Sequence, residues 1–296
     1  MKVPKPGLWP ASVAVLLLVT GFLTACEHFT DALSPVEPPE FENPIDPGGS
    51  EFVPPTTMIT EGPSDGSTVT TDQVAFTWQG NENATLFQVR ITGGEWDGSW
   101  SSWSGMQSLT LDFLDELTYT FEVRSGYPSS GDPEHVDDTP ESRNFTVDAV
   151  QGPALRMSPT RIHTPNNTTF DLQIIAEDVS DLTMTRIRIR FNTGFLQYAD
   201  SYAFGSFLTS NGGSILEFDP FIDNVTGIVE LNFGVAGANP PGVSGTGTIL
   251  TVSFRAVGTG TTDVIFGPAN TLLRDHLNQG ISITTQDLHG ARVIIQ

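Results

Sequence analysis

Along most of this chain apolar residues recur at every second position in short runs, and each run ends in Gly, Asn, Pro, Asp or Ser. Val74-Ala75-Phe76-Thr77-Trp78, Leu86–Ile91, Ser108–Leu111, Tyr119–Arg124 and Arg143–Val147 form one series. Thr169–Ile174, Arg186–Phe191, Ile215–Phe218, Gly227–Phe233, Thr248–Val257, Thr262–Phe266 and Ala291–Ile295 form a second. A period of two puts alternate side chains on opposite faces of a strand, so each run predicts a half-buried β-strand. Polar turns about every ten residues predict sandwiches rather than a helical bundle. The expected architecture is all-β, with two β-sandwich domains in tandem over residues 56–150 and 151–296.

The N-terminus follows another pattern. Lys2 and Lys5 precede a fifteen-residue apolar stretch, Ala11–Ala25, shorter than the ~20 residues a membrane-spanning helix needs. Residues 1–26 therefore read as a signal peptide. Leu23-Thr24-Ala25-Cys26 resembles a bacterial lipobox, with Cys26, the one cysteine, as the acylation site. Acylated Cys26 would hold the chain to a lipid bilayer. The expected location is the cell envelope. Glu27, where some lipoproteins carry an Asp retention mark, leans toward the outer membrane or cell surface. Residues 27–55 carry seven acids and no base among seven prolines, the composition of an extended, disordered linker.

Within the first series, Leu114–Arg124 resembles the tyrosine-corner segment of fibronectin type III domains, and Trp78 falls where those domains place a core Trp. That resemblance implies a spacer or binding module for residues 56–150. Trp96, Trp100 and Trp103 lie close together there. One reading makes them an aromatic platform for sugar rings, and the other has them cover a hairpin edge and pack locally. Trp100-Ser101-Ser102-Trp103-Ser104 also spells the WSxWS string of cytokine receptors. It precedes the tyrosine-corner strand instead of following it, so it is read as coincidence.

The second series resembles a cohesin domain, the receptor module of cellulosome scaffolds. Val179-Ser180-Asp181-Leu182 is similar to the cohesin V-x-x-L bend, and Arg188–Gln197 to its F-x-L-x-Y-D-P-x-x-L strand and turn. Gly205-Ser206-Phe207-Leu208 is similar to G-x-x-F. Gly245–Arg255 resembles G-S-G-T-L-A-T-I-T-F-K, the most specific piece. Asn192-Thr193-Gly194 replaces Tyr-Asp-Pro at the turn. The resemblance implies a sandwich that binds the dockerin-like module of another exported protein through one sheet face, in polysaccharide degradation. On that face Arg186, Arg188 and Arg190 point outward with Glu230 and Asn232. Guanidinia two residues apart along a strand, about 7 Å, would form a row able to read carboxylates. The other reading pairs them with Glu217 and Glu230 across strands. A surface carbohydrate-binding lipoprotein is the alternative function, and a purely structural envelope protein a third.

Charge narrows the classes further. With 35 acids against 13 bases and a net charge of −22, the chain lacks the clustered cations of a nucleic-acid surface. A single cysteine rules out a disulfide framework and a Cys-based zinc site. No nucleophile elbow, zinc-protease pair or phosphate loop occurs, so no catalytic residue, metal or cofactor is expected. Asp219–Asn224 is the best calcium candidate, without the dense oxygen spacing of a dedicated loop. Asp137 and Asp138, like Glu177 and Asp178, fall near turns, where acids cap backbone groups.

Overall fold

The computed structural model describes Asp46 and residues 48–127, 133–237, 239 and 241–296. The expected signal peptide, Cys26 and most of the Pro-rich linker (residues 27–45 and 47) lie outside the described residues. At Asp46–Phe52 the chain turns, with Gly48 N donating to the Asp46 carboxylate at 3.0 Å. Pro54–Gln296 forms one compact unit that is all-β, with 21 strands and two short 3-10 turns among the described residues.

The strands from Thr57 to Val147 are β1 (Thr57–Glu61), β2 (Ser67–Val69), β3 (Val74–Gly80), β4 (Leu86–Gly93), β5 (Trp96–Asp97), β6 (Ser108–Leu111), β7 (Thr118–Tyr127), β8 (His135–Val136) and β9 (Glu141–Val147). They make two sheets, β1-β3-β6 and β2-β9-β7-β4-β5, with β8 on β7. The inward positions of β3 and β7 meet between the sheets: Phe76 and Phe121, both fully buried, stack at 3.9 Å. The buried Tyr119 hydroxyl accepts from Asp115 N at 2.8 Å and donates to Asp115 O at 3.3 Å. That bond closes a corner four residues upstream, as in tyrosine-corner sandwiches.

The strands from Ala154 onward are β10 (Ala154–Ser158), β11 (Arg161–Thr164), β12 (Thr169–Arg190), β13 (Leu196–Phe204), β14 (Ser214–Asp223), β15 (Ile228–Ala236), β16 (Val243–Ala256), β17 (Gly260–Phe266), β18 (Leu272–Asp275), β19 (Gly280–Ile281), β20 (Leu288–His289) and β21 (Ala291–Ile295). They enclose a second core that includes Leu172, Ile174, Ile187, Ile189, Phe233 and Phe254. Phe254 is fully buried, with ring contacts to Phe170, Phe191 and Tyr198.

Two runs that read as separate strands, Thr169–Ile174 and Arg186–Phe191, are parts of the single 22-residue β12. Its first half pairs with β10 and β16, its second with β15, β17 and β18. Register shifts against β16 between Ile174 and Leu182 absorb the bend. Asp178 and Asp181 take left-handed backbone there, φ 46° and 59°, which short polar side chains tolerate best after glycine. One strand thus links two sets of partners within the twelve-stranded sheet. Tyr202 of β13 hydrogen-bonds Glu217 of β14 across one open edge.

Polar contacts join the two sandwiches. Asp115 Oδ1 accepts from Thr160 N and Thr160 Oγ1, both at 2.7 Å, and from Ser158 Oγ at 3.3 Å. Within the first sandwich, the Glu116 carboxylate accepts from Ala149 N at 2.9 Å and Val150 N at 3.0 Å. Burial raises its pKa, although both N–H groups pull the other way. Arg161 reaches Glu95 and Asp112, each at 2.7 Å, and Arg292 lies 4.5 Å over Phe113.

Candidate functional site

The second half of β12 sits mid-sheet, and its alternation is strict. Ile187 and Ile189 are fully buried, whereas Arg186 and Arg190 are exposed and Arg188 half-buried. Registers with the neighbouring strands then fix who stands beside whom, because residues directly opposite across a ladder share a face. The first row across the outer face is Leu216, Gly234, Met184 and Arg274; the second is Phe218, Asn232, Arg186 and Leu272. Phe221, Glu230 and Arg188 make the third, and Asp223, Ile228, Arg190 and Ile265 the fourth.

The five residues expected to share this face therefore do share it, but the arginines are not a free row. Arg188 Nε donates to Glu230 Oε2 at 2.9 Å, and Arg186 Nε to Asn232 Oδ1 at 2.9 Å. Arg186 also lies 3.7 Å from Glu230 Oε1. The amide oxygen of Asn270, in the orientation that satisfies its neighbours, accepts from Arg188 as well. Glu230 and Asn232 are thus internal partners of these guanidinia. Among the described residues, Arg190 has no hydrogen-bond or ion-pair partner. Glu217, expected to pair with an arginine, bonds Tyr202 instead, because its place opposite buried Phe233 turns it from the outer face.

Apolar side chains supply most of the rest of this surface, and alternation alone missed them. Leu216, Phe218 and Phe221 are 52%, 51% and 52% exposed, Met184 41% and Leu272 37%. Between them opens a cavity of about 440 Å3, lined by Met184, Arg186, Phe218, Asn232, Leu272 and Arg274, among others. These exposed apolar side chains form a patch on an otherwise acidic protein. Among the described residues β14 pairs only with β15, and Pro220, which cannot donate to a ladder, sits in the register shift between Phe218 and Phe221. An edge strand bent there presents its aromatics to solvent.

The three tryptophans do not make one platform. Trp96 packs edge-on against Tyr119, with Arg161 5.4 Å from its ring centroid. Trp100 lies under both Arg90 and Arg124, at 4.5 and 4.3 Å, and Arg124 also covers Trp103 at 5.6 Å. Arg124 is held in turn by Gln88 Oε1 at 2.8 Å, and Arg90 by Glu122. The WSxWS string, read as coincidence, thus forms an interleaved Trp–Arg stack beside β4. Ser101 N and Ser104 N donate to Val89 O at 2.8 Å and Phe87 O at 3.0 Å.

At the calcium candidate, Asp223 accepts from Val225 N, Thr226 N and Thr226 Oγ1. Asn224 accepts from Tyr198 N at 2.9 Å. Asp223 is thus committed to the turn that enters β15, and Asn224 ties that turn to β13. Among the described residues, no group of three or more His, Cys, Asp or Glu is disposed to hold a metal ion, and no helix is long and apolar enough to cross a membrane.

No family model matches the chain, and no curated protein matches it. Among solved structures it is similar to a non-cellulosomal cohesin from the archaeon Archaeoglobus fulgidus, at 12% identity and TM-score 0.36, over 48% of this chain and 91% of that one. It is similar to a type II cohesin domain from the cellulosome of Acetivibrio cellulolyticus, at 14% identity and TM-score 0.39, over 47% and 92%. A third is a cohesin from the scaffold protein ScaC of that organism, solved in complex with the ScaB dockerin, at 14% identity and TM-score 0.38, over 48% and 98%.

Proposed function

We propose that this protein is a non-catalytic docking protein of the cell envelope, tethered through acylated Cys26. Its second sandwich receives the dockerin-like module of another exported protein on the outer face of β14, β15, β12 and β18. One observation carries the reading: exposed Leu216, Phe218, Phe221, Met184 and Leu272 converge with four arginines on one sheet face. An apolar centre with a polar rim is the anatomy of a protein interface. The sequence resemblance to cohesins names the class of partner and its association with polysaccharide degradation. On this reading residues 56–150 are a fibronectin-III-like spacer behind a Pro-rich linker. A glycan site on Trp96, Trp100 and Trp103 has less support, since arginines already cover those rings.

Calorimetric titration of the protein with recombinant dockerin modules from exported proteins of the same organism tests this. The expected result is a saturable 1:1 complex that Phe218→Ser abolishes. No binding across the set, together with a glycan-induced shift in Trp fluorescence, would replace this reading with the carbohydrate one.

A further inference from the structure

Resting on the docking reading above, we infer that the partner's contact segment is acidic and inserts a bulky apolar side chain between Met184, Phe218 and Leu272. The charge distribution carries the first half. Four of the chain's eleven arginines, Arg186, Arg188, Arg190 and Arg274, lie on this one face of a protein with net charge −22. Glu230 offsets one of the two charges of the inner pair, Arg186 and Arg188. Arg190 at one end has no partner among the described residues, and Arg274 at the other donates only to the Asn278 carbonyl, at 2.7 Å. Positive charge therefore faces outward at two ends of the face, three rows apart, or about 20 Å along the strand. The rest of the chain is net acidic and as a whole repels an acidic partner, so complementarity steers it onto this face.

The cavity carries the second half. Its volume of about 440 Å3 lies toward the lower end for ligand pockets, roughly 300–1,000 Å3. Its walls are Met184, Phe218 and Leu272, with Arg186 and Arg274 at the side. A thioether, a phenyl ring and an aliphatic chain make a site for an aromatic or long aliphatic anchor, and rim guanidinia favour carboxylates beside it. A lipid surface fits less well. The chain's overall negative charge opposes an anionic bilayer, and two of the four arginines are already paired.

The test uses two amphipathic helical peptides with the same Phe/Leu stripe, flanked by Glu in one and by Lys in the other. Binding to the full chain is read by fluorescence polarisation. The Glu-flanked peptide is expected to bind, more weakly as salt rises, and the Lys-flanked one to fail. Phe218→Ser should weaken binding by roughly 30-fold or more, the scale of an interface hot spot. The pair Arg190→Glu and Arg274→Glu should reverse the choice of peptide; all three side chains are on the surface, so the fold tolerates the changes. Equal binding of both peptides, binding of neither, or Phe218-dependent binding to phosphatidylglycerol vesicles would overturn the inference. A dockerin module that binds wild type and the charge-reversed protein equally, yet is lost with Phe218→Ser, would overturn it while leaving the docking reading intact.

Discussion

Asp115 and Thr160 are joined twice: one carboxylate oxygen of Asp115 accepts both the backbone N–H and the hydroxyl of Thr160, each at 2.7 Å. Asp115 belongs to the corner that leads into β7, and Thr160 to the turn between β10 and β11. Asp115 is 7% exposed, so its charge is stabilised by these donors and not by water. Asp115→Ala should cost about 2–3 kcal/mol, the range for leaving buried donors of a charged group unsatisfied. Urea unfolding measures this. A second, lower-melting transition should appear if the contact couples the two sandwiches.

His289 gives the same region a pH dependence. Burial holds its imidazole below the ordinary value of 6.5, although Asp287 and Asp72 pull it upward. Its ring shares a cavity with Glu116, Arg156 and Thr160. A depressed histidine means that the folded state binds fewer protons than the unfolded chain below pH 6.5. Stability contributed by the neutral ring is therefore present above 6.5 and falls as pH drops toward the folded pKa. His289→Gln should flatten that part of the profile, measured as melting temperature between pH 7 and 5. An unchanged slope would refute the assignment.

Arg124 should matter to the first sandwich more than a surface arginine ordinarily does. It covers Trp100 and Trp103 and is held by Gln88. Partly desolvated cation–π contacts reach about 2 kcal/mol. Arg124→Met is expected to destabilise by about 1–3 kcal/mol and to shift tryptophan emission, read together in one urea titration.

Phe254→Ala tests the second core. The ring is fully buried and touches three other aromatics, so the change should cost about 3–5 kcal/mol. Differential scanning calorimetry should show the loss without any change in the Trp–Arg stack, which belongs to the other core.

Cys26→Ser tests the tether. The expected result is loss of acyl mass from the protein and its appearance in the soluble fraction of lysed cells. Retention in membranes without acylation would show that another segment anchors it.

Much of this was legible in the chain because period-two alternation is a local signal. It fixed Arg186, Arg188, Arg190, Glu230 and Asn232 to one face, since each lies in a run whose inward partners are aliphatic. It could not supply their pairing, which depends on register between strands more than forty residues apart, as in Arg188 with Glu230. Nor could it supply the apolar side chains around the cavity. Leu216 and Phe218 read as ordinary strand positions; only the edge location of β14 and the break at Pro220 leave them in solvent. Leu272 and Arg274 lie in a four-residue strand too short to announce itself by alternation. The Trp–Arg stack was hidden for a similar reason: Arg90, Arg124 and the tryptophans meet only once β4 and β7 have paired.

The 22-residue strand that pairs with different neighbours along its two halves has a mechanical consequence. On the docking reading, traction on a partner seated at Arg186 and Asn232 would enter the sandwich through β12, whose other half is laddered to β10. β10 ends at Ser158, beside the Asp115 contact. On that reading load passes from the backbone of β12 into β10 through the ladder between them, and so is shared among several hydrogen bonds on its way toward the neighbouring sandwich.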